Sequence, residues 1–206
     1  FVIFGFNNLV EAYFFTALFP SAADLAAAAA TSLLMTLGYA VLAGFLFTEE
    51  SEGHIVAELR GFLGRRSGRS WAWRVAAASA VYFPIYLFFG MLISPFVISY
   101  YTDPSVGLRL PSFAVVIPLE FLRGLLYVVA LLPFLAAFKG SLRASMLVAA
   151  SLLYVPGGLV PLIVESSLPA SIVPFHMAEI LADSAVYGAV LARLLGGGRG
   201  GAGGAV

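Results

Sequence analysis

The chain contains no cysteine, and only 11% of its residues are charged. The lack of cysteine excludes disulfides, thiolate metal sites, iron–sulfur clusters and cysteine nucleophiles. The low charge accompanies 61% hydrophobic residues, whereas soluble domains have roughly 25% charged residues and about half apolar ones. The formal net charge is zero, so no basic excess favours nucleic acid as a partner. We therefore expect an integral membrane protein whose main partner is the lipid bilayer.

Six stretches have the length and apolarity of membrane-spanning helices. Such a helix needs about 20 apolar residues to cross a hydrocarbon core of roughly 30 Å. The stretches cover residues 1–19, 25–47, 75–101, 113–138, 144–164 and 171–195. The sequence predicts an all-α, polytopic membrane helix bundle of about six transmembrane helices. We expect residues 1–195 to form a single bundle and residues 196–206 to form a flexible, glycine-rich tail.

The fifth span is interrupted by the sequence VPGG at residues 155–158. Pro156 removes a backbone hydrogen-bond donor, and the glycines that follow it lower helix preference. We therefore predict that the fifth helix is broken at Pro156–Gly158. The break is either a kink used for packing or a backbone exposed at a binding site, a device that transporters use.

Basic residues predict the orientation of the bundle, because cytoplasmic loops carry an excess of Lys and Arg. One side holds nine of the eleven basic residues: Arg60, Arg65, Arg66, Arg69, Arg74, Lys139, Arg143, Arg193 and Arg199. We expect this side to be cytoplasmic, with both ends of the sequence on it, in the plasma membrane.

The cytoplasmic connection at residues 49–74 has the pattern of an amphipathic surface helix. Its apolar residues repeat at helical spacing, and two tryptophans follow where interfacial aromatics anchor a helix. The pattern comprises Ile55, Leu59, Phe62, Leu63, Trp71 and Trp73. Its arginines either act only as a topology signal or bind an anionic lipid or a protein partner; the candidates are Arg60, Arg65, Arg66 and Arg69.

Three spans carry ionisable side chains, each of which costs about 2.5–3.5 kcal/mol to insert. They are Glu11 in the first span, Glu120 and Arg123 in the fourth, and His176, Glu179 and Asp183 in the sixth. Spacings of three, four and seven residues keep each set on one helical face. Glu11, Glu120, His176 and Glu179 lie at a similar depth, about 10–15 Å from the outer end of their spans. We therefore predict one buried site formed by these three helices.

The predicted site has four acids opposed by Arg123 and at most a protonated His176. Such an imbalance requires that some carboxyls hold a proton or that the site binds a cation. Glu11, His176 and Glu179 are candidate ligands for a divalent metal, the one cofactor the pattern suggests. The candidate catalytic residues are Glu120, Arg123 and Asp183.

Three functions agree with these residues. A proton- or cation-linked transporter, or the membrane subunit of one, would use Glu120 or Glu179 to exchange a proton beside Arg123. An intramembrane metal-dependent hydrolase would attack a lipid or peptide with metal-bound water, while Arg123 stabilises the oxyanion; no HExxH or GxSxG motif supports it. In a structural or assembly protein, the polar cluster would only fix helix packing. We favour transport, because intramembrane ionisable groups usually mark function.

Overall fold

The computed structural model describes residues 1–47, 55–164 and 168–196, and all the regular structure within these ranges is helical. The predicted tail, except Gly196, and the first part of the predicted connection lie outside the described residues. The α-helices are α1 Asn8–Phe15, α2 Ala22–Phe47, α3 Ile55–Leu63, α4 Gly68–Thr102, α5 Phe113–Ala137, α6 Leu142–Tyr154, α7 Val160–Val164 and α8 Val173–Leu191. Wider π-helical turns cover Val2–Asn7, Val155–Leu159 and Ala192–Gly196.

Four helical stretches in the described ranges are long and apolar enough to cross a membrane. They are Ala22–Leu42, Gly68–Thr102, Phe113–Ala137 and Leu142–Val164. This result fits the predicted membrane-embedded, all-α class. The first and sixth predicted spans are helical but are not among the four, because α1 is short and α8 carries three polar ionisable side chains. The count of six spans therefore stays a prediction.

The centre of the bundle consists of α4, α5, α6 and α8, which pack with little space between their backbones. A Cβ atom on Gly124 of α5 would lie 2.5 Å from the Ser79 carbonyl oxygen of α4. A Cβ atom on Gly188 of α8 would lie 2.6 Å from the Ala150 nitrogen of α6. The buried Tyr187 hydroxyl donates to one backbone carbonyl of α4 and one of α5, both at 3.1 Å. Small residues thus allow these helices to approach closely.

One end of the bundle, which we call the loop end, contains the connection between α4 and α5. Thr16, just after α1, forms an isolated antiparallel bridge with Leu108 of this connection. Ser171, just before α8, donates to the Tyr100 hydroxyl near the end of α4 at 2.9 Å. The end of α1, the end of α4 and the start of α8 therefore meet at the loop end, as the predicted order of spans requires.

The opposite end, which we call the basic end, uses two arginines to cap the last helix. The Arg66 and Arg74 guanidinium groups donate to the carbonyl oxygens of Leu195 and Leu194, each at 2.6 Å. These carbonyls lie in the π-helical turn Ala192–Gly196 that follows α8, and the arginines give them hydrogen-bond partners. Arg66, a candidate for lipid or partner binding, therefore has a structural contact within the chain.

We expect Arg74→Met to destabilise the protein by about 1.5–3 kcal/mol, the range for a hydrogen bond to a charged group. The matched control is Arg69→Met, because Arg69 is exposed in the first turn of the same helix and should change stability by no more than about 0.5 kcal/mol. Equilibrium unfolding in mixed micelles would measure both. Equal losses for the two variants would contradict the capping role.

The helix in the predicted connection, α3, is held against the start of α4. Phe62 is buried and lies 5.3 Å from Trp71, between ring centroids. The Trp71 indole nitrogen donates to the Leu63 carbonyl at 2.7 Å. Because α4 already begins at Gly68, Trp71 lies in the first turns of α4, although the sequence analysis placed it in the connection. The placement of α3 on a membrane surface stays a prediction.

The fifth predicted span changes helix type at the proline, but it does not unwind. After α6, the chain continues as the π-helical turn Val155–Leu159, in which the Val160 N–H bonds to the Val155 carbonyl five residues back. The regular α-helix therefore stops where the sequence predicted, but the predicted break is instead a widened turn. A Cβ atom on Gly158 would lie 2.5 Å from Ile180 Cγ2 of α8. The glycine thus provides room for a neighbouring side chain.

Candidate functional site

Arg123 of α5 lies at the centre of a buried ion-pair network. Its Nη1 atom lies 3.0 and 2.9 Å from the two Glu120 carboxylate oxygens. Its Nη2 atom lies 2.6 Å from Glu11 Oε2 of α1. Glu120 is fully buried and Arg123 is 4% exposed, so this pair is shielded from solvent. The Glu11 side chain is 33% exposed, and its contact with Arg123 joins α1 to α5. The spacing of Glu120 and Arg123, one helical turn apart, permits the local pair.

The second ionisable group of the site is a pair on α8. His176 Nδ1 lies 2.9 Å from Glu179 Oε2, again between residues three apart on one helix. His176 Nε2 lies 3.4 Å from the Tyr101 hydroxyl of α4. Gly90 of α4 leaves space for this pair, because a Cβ atom there would lie 3.2 Å from Glu179 Oε1. The imidazole is thus held between a carboxylate and a phenol.

Asp183 lies one helical turn beyond Glu179 and is only 5% exposed. Within the part of the chain that the structure describes, its hydrogen bond comes from the Ser184 hydroxyl at 3.3 Å, and no Lys, Arg or His forms an ion pair with it. A buried carboxylate without a cationic partner is costly. Asp183 therefore differs from Glu11, Glu120 and Glu179, each of which contacts a basic side chain.

A cavity of about 750 Å³ joins these groups. Its wall includes five of the six predicted site residues, namely Glu11, Arg123, His176, Glu179 and Asp183, while Glu120 lies behind Arg123. It extends from Thr16 and Leu168 at the loop end inward to Tyr127 and Tyr187. The side chains predicted to share one site thus lie together, although their catalytic and ligand roles stay predictions.

Tyrosines, which the sequence analysis did not select, form much of the cavity wall. They are Tyr39, Tyr82, Tyr86, Tyr101, Tyr127 and Tyr187. Two of them continue the predicted polar faces inward by one turn, since Tyr127 is four residues after Arg123 and Tyr187 four after Asp183. Asn7, four residues before Glu11, donates to the Tyr127 hydroxyl at 2.7 Å. This repeated spacing of four was the available signal.

The predicted metal ligands do not form one ligand set. Glu11 contacts Arg123, whereas His176 and Glu179 contact each other. Among residues 1–47, 55–164 and 168–196, no group of three His, Asp or Glu side chains is arranged to hold a metal ion. Glu11 is paired with Arg123, which places a positive charge beside its carboxylate.

A comparison of the chain with protein families, curated proteins and solved structures found no match.

Proposed function

We propose that this protein is a membrane transporter, or the membrane subunit of one, that binds a small solute in the cavity and links its binding to proton exchange. The observation that carries the proposal is the cavity itself. It combines a volume typical of small-molecule sites, which range from about 300 to 1,000 Å³, with ionisable side chains in its wall. A cluster that only fixed helix packing would not require a space of this size.

Charge balance supports the proton linkage. The trio of Arg123, Glu11 and Glu120 carries one net negative charge when its members are ionised. Glu179 and Asp183 add two more, and His176 can offset one of them. In an apolar environment such an excess must be neutralised by protons or by a bound ligand. The same carboxylates can therefore release a proton when the ligand binds and take one up when it leaves. We assign the uptake and release of the proton to Glu179, which contacts His176.

The test is proton flux in proteoliposomes that contain a trapped pH-sensitive dye. Cationic, neutral and anionic organic solutes are added in turn, and the internal pH is followed. We expect at least one solute to change the internal pH with the wild-type protein, and Glu179→Gln to reduce the rate about tenfold or more, as loss of a proton-transfer group does in catalysis. The control is Glu58→Gln, a carboxyl change at the basic end, where Glu58 pairs with Lys139.

Two other outcomes would contradict the proposal. If no solute moved protons and Glu179→Gln altered only thermal stability, the cluster would serve helix packing. If metal analysis of the purified protein found a stoichiometric divalent metal that was lost in His176→Ala, the hydrolase function would be favoured instead.

We also propose that the bundle crosses the membrane six times with the basic end in the cytoplasm. The exposed Arg60, Arg65 and Arg69 at this end support the orientation and would suit anionic headgroups. Because the chain has no cysteine, single cysteines report topology directly. A membrane-impermeant maleimide should label Leu110→Cys in intact cells, but should label Lys139→Cys only after permeabilisation. The reverse pattern would contradict the orientation.

A further inference from the structure

The acids of the cavity differ in what neutralises them. Arg123 binds Glu11 and Glu120, and His176 binds Glu179 through one oxygen. Asp183 is only 5% exposed, lines the cavity, and has no basic partner among the described residues. Glu179 and Asp183 are four residues apart on α8, so they lie on the same helical face. This face of the cavity has the least compensated negative charge.

The aromatic part of the wall suits a positive charge. The Arg123 guanidinium carbon lies 5.6 Å from the ring centroid of Tyr82 and 5.7 Å from that of Tyr86. Both distances are within the range of a cation–π contact, which is about 6 Å. Tyr86 and Tyr101 lie in the same cavity wall as Asp183. The rings of this wall can therefore stabilise a second cation beside the acids.

The cavity is much larger than a bare metal ion requires. About 750 Å³ is many times the roughly 30 Å³ that one water molecule occupies in the liquid. No metal-ligating group of three is present in the described ranges. Apolar side chains such as Leu153 and Ile180 complete the wall. A ligand that fills this space needs an apolar body as well as a charge.

On the basis of the transport function proposed above, we propose that the solute is an organic cation, with an ammonium group held by Asp183 and Glu179 and an apolar body against the tyrosines. The cation supplies the charge that Asp183 lacks. Its apolar body replaces water along the aromatic and aliphatic wall, which favours binding. An organic anion would instead bring negative charge to the side of the cavity where it is already in excess.

The experiment is isothermal titration of the full chain in detergent with three probes of similar size: benzyltrimethylammonium, benzyl alcohol and benzenesulfonate. We expect the wild-type protein to bind the cation most tightly. Asp183→Asn keeps the shape of the side chain and removes its charge, so it should weaken cation binding about tenfold or more. Glu58→Gln, remote from the cavity, should leave binding unchanged.

A second measurement does not depend on any variant. Benzyltrimethylammonium should raise the unfolding temperature of the wild-type protein, since a ligand that binds only the folded state stabilises it, and benzenesulfonate should not. Equal affinity for the three probes, or unchanged affinity in a folded Asp183→Asn protein, would overturn the inference. Binding of Mg²⁺ or Ca²⁺ in place of the organic cation would also overturn it.

The two proposals fail in distinguishable ways. Cation binding in detergent without proton flux in proteoliposomes would remove the transport function and leave the ligand class standing. Proton flux driven by an anionic or neutral solute would support transport and overturn the ligand class.

Discussion

Replacing Arg123 with methionine should destabilise the folded protein by about 3–5 kcal/mol, the usual cost of removing one partner from a buried ion pair. The guanidinium contacts Glu120, which is fully buried, and Glu11 of a different helix. Methionine retains much of the volume but leaves two carboxylates without their cation. Because the Glu11 contact joins α1 to α5, we expect α1 to lose its position first. Equilibrium unfolding in mixed micelles measures the loss.

Two further variants separate charge from packing. Arg123→Met combined with Glu120→Gln removes one of the stranded carboxylates, so it should be more stable than Arg123→Met alone. Arg109→Met changes an exposed arginine in the connection between α4 and α5, and should alter stability by no more than about 0.5 kcal/mol. An unchanged unfolding free energy for Arg123→Met would show that the ion pairs contribute nothing to the fold.

Gly188→Ala should destabilise the folded protein by about 3 kcal/mol, the upper part of the range for overpacking. The new Cβ atom would lie 2.6 Å from the nitrogen and 2.8 Å from the Cα atom of Ala150. Both are backbone atoms of α6, so no side chain can rotate out of the way. The two helices must move apart along their contact, which also borders the inner end of the cavity at Tyr187.

The matched control is Gly38→Ala in α2, where, apart from the adjacent residues and the backbone of the same helix, no atom lies within 4 Å of the added Cβ. Alanine is the better helix former by about 1 kcal/mol, so this variant should be equal to or more stable than the wild type. Thermal unfolding of both variants in detergent would show opposite shifts. A similar loss in both would show that the close approach of α6 and α8 does not determine the effect of Gly188→Ala.

Much of the site could be predicted because its members repeat along single helices. The pairs Glu120–Arg123 and His176–Glu179 are three residues apart, and helix geometry alone places such residues together. The contact of Arg123 with Glu11 could not be predicted in this way. It depends on how far α1 is rotated and displaced beside α5, which is determined by packing that includes Asn7 and Tyr127. As a result, Glu11 contacts Arg123, whereas His176 and Glu179 contact each other.

The part that α4 plays in the cavity wall also could not be predicted from the sequence. Nothing in the sequence distinguishes its tyrosines at positions 82, 86 and 101 from other aromatic residues of an apolar span. They lie in the cavity wall because α4 packs against both α5 and α8. Similarly, Arg74 counted as part of a topology signal, whereas its contact with the Leu194 carbonyl depends on the end of α8 lying beside the start of α4.

The amino-acid sequence by itself determined the helical, membrane-embedded class of the protein and the faces on which each helix carries its ionisable groups. These properties follow from hydropathy and from the 3.6-residue period, both of which are local to one segment. Only the tertiary structure decided that Arg123 is shared by two acids while Asp183 has no basic partner in the described ranges. Such pairing depends on the rotation and depth of one helix relative to another. Contacts between residues far apart in the sequence determine both.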